Sequence, residues 1–251
     1  MPWKILALLV AGLLCLNSGA PAQSTNYFTD LNIGPAGILT GGAGDRFIIS
    51  GNLANASTQN VAWSTAAAEL AFATGAAHTM SLPGSDLGPS FAGYVNNFAW
   101  GVLRLVTGQA LSLSDGNATP QAALYTERLV LEDGVAQIGA IIGNGCNIYY
   151  NPYNAANAYL GGLTYPLAGG GTIQPVTVGL KITSITRLPN GHILLQCLGA
   201  PSRSNQVQVS ADLVTPFALL ASVTAAADGT FQFEDVNAPS FNKRFYRLAF
   251  P

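Results

Sequence analysis

The sequence predicts an all-β protein in which an N-terminal β-solenoid-like repeat domain, with a β-sandwich as its alternative, is followed by a small C-terminal β-sandwich. Three observations carry this expectation. Short apolar segments alternate at a period of two, glycine turns recur between them, and charged residues make up only 9% of the 251-residue chain, far below the roughly 25% usual in soluble domains.

Residues 1–22, MPWKILALLVAGLLCLNSGAPA, combine a positive charge at Lys4, an apolar run from Ile5 to Leu16 and a small-x-small site at Ala20-Pro21-Ala22. This is the pattern of a secretory signal peptide. The run is too short to span a bilayer, and no later segment reaches 18 uninterrupted apolar residues, so the mature chain is expected to carry no transmembrane segment and to be secreted, extracellular or held at the cell surface. From residue 23 onward twelve acidic residues stand against nine basic ones, a formal charge of −3. No basic footprint for nucleic acid or an anionic membrane follows from that balance.

Residues 23–167 are expected to form the repeat domain. Its units are GILTGGAGDRFIISGN (37–52), AELAFATGAAHTMSLPGSD (68–86), VLRLVTGQALSLSDGN (102–117) and RLVLEDGVAQIGAIIGNG (128–145). Each is an apolar alternation, a glycine turn and a second alternation. In the third unit Leu111 and Leu113 face one way and Ser112 and Ser114 the other. Gly44, Gly75, Gly108 and Gly134 stand where a turn needs dihedrals that other residues reach only at a cost. Units of this size, unable to bury their own apolar faces, suit a solenoid; a sandwich of hairpins differs only in pairing direction. The one helix candidate is STAAAELAF, whose alanines also suit a tightly packed strand.

Residues 168–179, AGGGTIQPVTVG, are expected to be a Gly- and Pro-containing linker. Residues 180–251 then divide into six short strands with turn signals between them, among them LKITSITRL, HILLQCLG and NQVQVSADL, ending on RFYRLAF. That spacing suits a small sandwich.

Several side chains invite a chemical role. In NIYYNPYNAANAYLGG four of the nine tyrosines cluster, and Tyr149 and Tyr150 on one strand should divide between core and solvent. Tyr153, Tyr159 and Trp100 are candidates to stack on a sugar ring, since a flat π-face with a polar edge suits an amphipathic pyranose. Asp115 and Asn117, in a turn, could offer loop oxygens to a calcium ion, although the spacing of a recognised calcium loop is missing. No other cofactor is expected. Cys146 and Cys197 could form a disulfide in an oxidising compartment; a buried free thiol explains Cys197 equally well. His78 and His192 lie in different segments, and no serine has a nucleophile frame such as G-x-S-x-G. The acids Asp115, Glu127, Glu132 and Asp133 form the densest carboxylate group, but Glu132 and Asp133 belong to an LEDG turn.

The run NNFAWGVLRLVTGQALSLSDGNATPQAALYTERLVLEDG, followed by NIYY, resembles secreted bacterial β-repeat proteins. ITSITRLPNGHILLQCLGAPSRSNQVQVSADL, with the closing FYRL, resembles C-terminal accessory modules of an immunoglobulin-like or fibronectin-like kind. The resemblance implies a surface, matrix or adhesin-like role and brings no catalytic residues. Relatives of this type often end in a hydrophobic helix and basic tail, a pattern from which RFYRLAFP departs. The expectation is therefore a secreted, non-catalytic structural or adhesive protein of the cell envelope or extracellular matrix. Its partners would be extracellular polysaccharide or surface proteins. A carbohydrate-binding module using exposed aromatics is the first alternative, and a glycan-acting hydrolase the second.

Overall fold

A computed structural model describes residues 23–116, 121–177, 179–226 and 228–249. The signal-peptide segment and Asn117, the second of the calcium candidates, lie outside them. The chain divides into two compact units, Met1–Pro89 with Gly93–Val176, and Ser90–Ala92 with Thr177–Pro251.

In the larger unit successive strands alternate between two sheets. One sheet takes β1 (Thr25–Phe28), β3 (Arg46–Ile49), β5 (Glu69–Phe72), β7 (Trp100–Leu105), β9 (Ala123–Leu131), β11 (Asn147–Tyr150) and β13 (Thr172–Pro175), in that order, and closes on β12 (Tyr165–Pro166). The other takes β2 (Leu31–Ile33), β4 (Leu53–Asn55), β6 (Ala77–Leu82), β8 (Ala110–Asp115) and β10 (Ile141–Ile142). These pairings are parallel except β12 with β13.

The register explains the composition. Phe47 pairs with Leu70, Leu70 with Leu103 and Leu103 with Leu129, while two residues on the same face Ile49, Phe72, Leu105 and Leu131 form a second ladder. In the other sheet Leu53, Met80 and Leu113 make a third. All these side chains join one buried core. A strand shifted by one residue would turn its whole apolar set outward, so the ladders fix the register. Gly44, Gly75, Gly108 and Gly134 have φ of 90°, 106°, 75° and 66°, as turn positions require.

The fold-class expectation is corrected. The chain is mixed, 46% strand with 9% helix, and its larger unit is built from an eight-stranded, mostly parallel sheet and a five-stranded parallel sheet rather than as an all-β solenoid or sandwich. Two physical causes stand behind the difference. Helical turns form at Phe91–Tyr94, Gly134–Ala140, Ala155–Leu160 and Ala238–Ser240, where short loop segments close i to i+3 contacts that a period-two reading does not detect. Meanwhile STAAAELAF, the one helix candidate, supplies strand β5. In the larger unit the strands pair in parallel with counterparts a repeat away and not across the turns at Gly44, Gly75, Gly108 and Gly134, so the one hairpin among its described strands is β12 with β13. The Gly-rich stretch after residue 168 likewise includes β13, because Ile173 pairs with Ile148 and enters the core.

The smaller unit holds two three-stranded antiparallel sheets. One is β14 (Lys181–Arg187), β15 (Ile193–Leu198) and β18 (Thr230–Asp235); the other is β17 (Ala218–Thr224), β16 (Ser204–Ser210) and β19 (Phe245–Ala249). Leu195, Cys197, Val207, Ala225 and Phe231 form its core. Among the described residues no helix is long and apolar enough to cross a membrane.

Candidate binding site

The tyrosine-rich segment that the sequence singles out is an internal fastening. Tyr149 and Tyr150 are both buried, at 2% and 0% exposure, which corrects the expectation that they divide between core and solvent. The reason is that both faces of β11 are covered. Tyr150 enters the core, and its hydroxyl donates to the Leu163 carbonyl at 2.9 Å. Tyr149 stacks on Tyr125 with ring centroids 4.6 Å apart and donates to Asp86 Oδ1 at 2.7 Å. Asp86 also accepts from the Asn147 amide at 2.6 Å and from Gly88 N–H at 2.8 Å. The Tyr125 hydroxyl in turn accepts from Leu87 N–H and donates to the Gly88 carbonyl, both at 2.8 Å. A Cβ on Gly93 would strike the Tyr125 ring, so only glycine lets that backbone lie over it. The chain at residues 86–88 and at Gly93 is thus tied onto Tyr125 and Tyr149 of the eight-stranded sheet. Burial, and then the hydrogen bond and charge of Asp86, push the Tyr149 phenol well above its ordinary range.

Tyr159 is 38% exposed, but its hydroxyl is engaged with β9, donating to the Leu129 carbonyl at 3.0 Å and accepting from Leu131 N–H at 3.1 Å. Asn157, 1% exposed, accepts from Leu129 N–H at 3.0 Å and donates to the carbonyls of Glu127 at 3.0 Å and Asn151 at 2.7 Å. Asn151 caps both Glu127 carboxylate oxygens, at 2.8 and 2.9 Å. Tyr153 is 38% exposed and remains at the surface.

Trp100 is corrected as a ligand candidate. It is 2% exposed, packed edge-on against Phe47 with centroids 5.6 Å apart, because its strand lies inside the eight-stranded sheet with both faces covered. Cys146 and Cys197 do not pair; each is a free thiol buried in the core of its own unit. Asp115 ends β8 at the surface. Among the described residues no group of three or more His, Cys, Asp and Glu side chains comes together to hold a metal ion.

Other polar groups the sequence offers for chemistry also hold structure. Glu69 sits between Arg46, at 2.7 Å, and Arg104, at 3.1 Å, and Arg104 continues to Glu132 at 3.0 Å. Burial opposes ionisation of the Glu69 carboxyl, but the two guanidinium groups outweigh it and hold the carboxyl below its ordinary range. His78, 3% exposed, lies between the Gly51 carbonyl at 2.6 Å and Gln109 Oε1 at 2.9 Å.

A concave site occurs in the smaller unit. A pocket of about 280 Å³ is lined by Ile185 and Arg187 of β14, Ile193 of β15, the 238–244 segment and Tyr246 of β19. Gly191, at φ 85° in the turn between β14 and β15, also lines it beside Pro239. Asp235, 2% exposed, holds two of the lining residues: it binds Arg244 through both carboxylate oxygens, at 2.9 and 2.6 Å, and accepts from the Tyr246 hydroxyl at 2.8 Å. Burial, and then Asp235, push the Tyr246 phenol above its ordinary range. With its charge met by Asp235, the Arg244 guanidinium lies 4.1 Å from the centre of the Phe241 ring. Phe241 and Ile185 stay 48% and 58% exposed. Arg187 and Lys243, both exposed, have no ion-pair partner among the described residues.

None of these pocket residues stands out as a sequence candidate, and the one available signal is the aromatic and basic run Phe241-Asn242-Lys243-Arg244 after a proline turn. The fold and site define a two-unit, strand-rich protein with a small cationic, partly apolar pocket in its second unit. No family model matches the chain, and neither a curated protein nor a solved structure matches it.

Proposed function

We propose that this is a secreted, non-catalytic structural or adhesive protein of the cell envelope or extracellular matrix. The observation that carries the reading is the use to which its polar side chains are put. Asp86, Glu127, Glu69, His78 and Asn157 hold loops and strand edges in place, a commitment suited to a durable scaffold. A general acid or base instead needs hydrogen-bond reach to a substrate. The signal-peptide pattern of residues 1–22 supports export, and the low charge supports a surface that packs against other matrix components.

Carbohydrate recognition is the second reading, favoured by the pocket with its exposed Phe241 and unpaired cations. The test of the first reading is retention of the purified protein on isolated cell-envelope and matrix fractions, run beside an assay for release of reducing ends. Retention without turnover is expected. Release of reducing ends that Glu127→Gln abolishes, or no retention on either fraction, would overturn it.

A further inference from the structure

We infer that the pocket of the second unit binds an acidic pyranose, a uronate residue of an extracellular polysaccharide. The inference deepens the adhesive reading and rests on it only for where the ligand is met.

The argument starts from charge. The smaller unit carries six basic residues (Lys181, Arg187, Arg203, Lys243, Arg244, Arg247) against four acidic ones (Asp212, Asp228, Glu234, Asp235), a balance of +2. From residue 23 the larger unit carries three basic (Arg46, Arg104, Arg128) against eight acidic (Asp30, Asp45, Glu69, Asp86, Asp115, Glu127, Glu132, Asp133), a balance of −5. In a chain this poor in charge, basic residues gathered around one pocket favour an anionic ligand.

Within the pocket the cations have different tasks. Arg244 is held by buried Asp235 and spread over Phe241, which fixes the ring. Arg187 and Lys243 line the pocket as exposed cations with no ion-pair partner among the described residues. A guanidinium matches a carboxylate through two parallel hydrogen bonds, and an ammonium adds a point charge beside it. The apolar part is a half-exposed aromatic edge with Ile185, Ile193 and Pro239, and Asn242 adds an amide able both to donate and to accept. A uronate pyranose presents this combination, with a carboxylate on one edge, C–H groups on a face and hydroxyls around the rim. At about 280 Å³ the space suits a unit of sugar size.

An acidic peptide would most readily use the open edge of β14 by adding a strand. β14 carries a register shift in its pairing with β15, between Ile182 and Ser184, and such a bulge bends the strand and blunts addition at its free edge.

The test is binding of the purified full chain to oligogalacturonate by titration calorimetry, with neutral oligoglucose and poly-glutamate as parallel arms. Saturable binding to oligogalacturonate alone is expected. Arg187→Gln, Lys243→Gln and Phe241→Ala should each weaken it by about tenfold or more, the loss typical of one charge-assisted or aromatic contact. Tyr153→Ala should leave it unchanged, and thermal melts of each variant separate loss of the site from loss of the fold. Equal binding of poly-glutamate would mean the pocket reads charge alone, and equal binding of the neutral sugar would mean the cations are idle; either overturns the inference. So does no binding at all, and in that case envelope retention still decides the adhesive reading separately.

Discussion

The Tyr159 hydroxyl lies 3.0 Å from the Leu129 carbonyl oxygen, at an edge of β9 that no further strand among the described residues occupies. Pairing with β11 covers β9 only from Ala123 to Thr126. Beyond that point Asn157 and Tyr159, from the helical turn Ala155–Leu160, supply the donors and acceptors that a strand would have given. Backbone groups of a partly buried edge left without partners are costly, and side chains from a turn meet them while exposing no new edge.

Removal of these groups should therefore lower stability in proportion to the bonds lost. Tyr159→Phe is expected to cost about 1 kcal/mol, and Asn157→Ala, which strips three bonds from a buried site, about 2 to 3 kcal/mol. Urea titration checks this, with a lowered midpoint and an unchanged slope. Wild-type midpoints in both variants would show that water serves the edge equally well.

Stability should fall on acidification, partly through Glu69. Its folded-state pKa is depressed, so its contribution is fully present above the ordinary carboxylate value near 4.5 and is lost as pH falls through the folded value. Melting temperature should drop between about pH 5 and pH 3, and drop less steeply in Glu69→Gln. Parallel curves for the two proteins would remove Glu69 from the account.

Both core thiols should be inert in the folded protein. Burial pushes Cys197 up to about 11, and burial with the charges of Asp115 and Asp86 raises Cys146. Little thiolate exists at pH 8, and the reactive species is the thiolate. An aromatic disulfide reagent should label neither residue within minutes at that pH, and both at once in denaturing guanidinium. Rapid labelling of native Cys197 would mean that the core of the smaller unit opens.

Much of the local structure was readable from residues alone. The alternation in ALSLSD, the glycine turns at positive φ and the strands of the last segment, such as HILLQCLG and NQVQVSADL, need only neighbours in sequence. The site was less legible. Trp100 read as a ligand candidate, and one of Tyr149 and Tyr150 as exposed, because an aromatic on a strand has two faces and sequence does not say whether a distant segment covers the second. The run Phe241 to Arg244 carried no expectation of a site, since its meaning depends on Asp235 and Arg187 being brought beside it.

By itself the sequence determined a strand-rich chain of low charge, with apolar residues every second position and glycines where the chain must turn. Those properties act between near neighbours and so are written locally. Only the tertiary structure decided that the strands of the larger unit run mostly parallel in sheets of eight and five, that Tyr149 anchors on Asp86, and that Arg187 and Lys243 share a pocket with Phe241. Strand direction and pocket composition depend on contacts between residues tens of positions apart, whose burial energy outweighs any local preference.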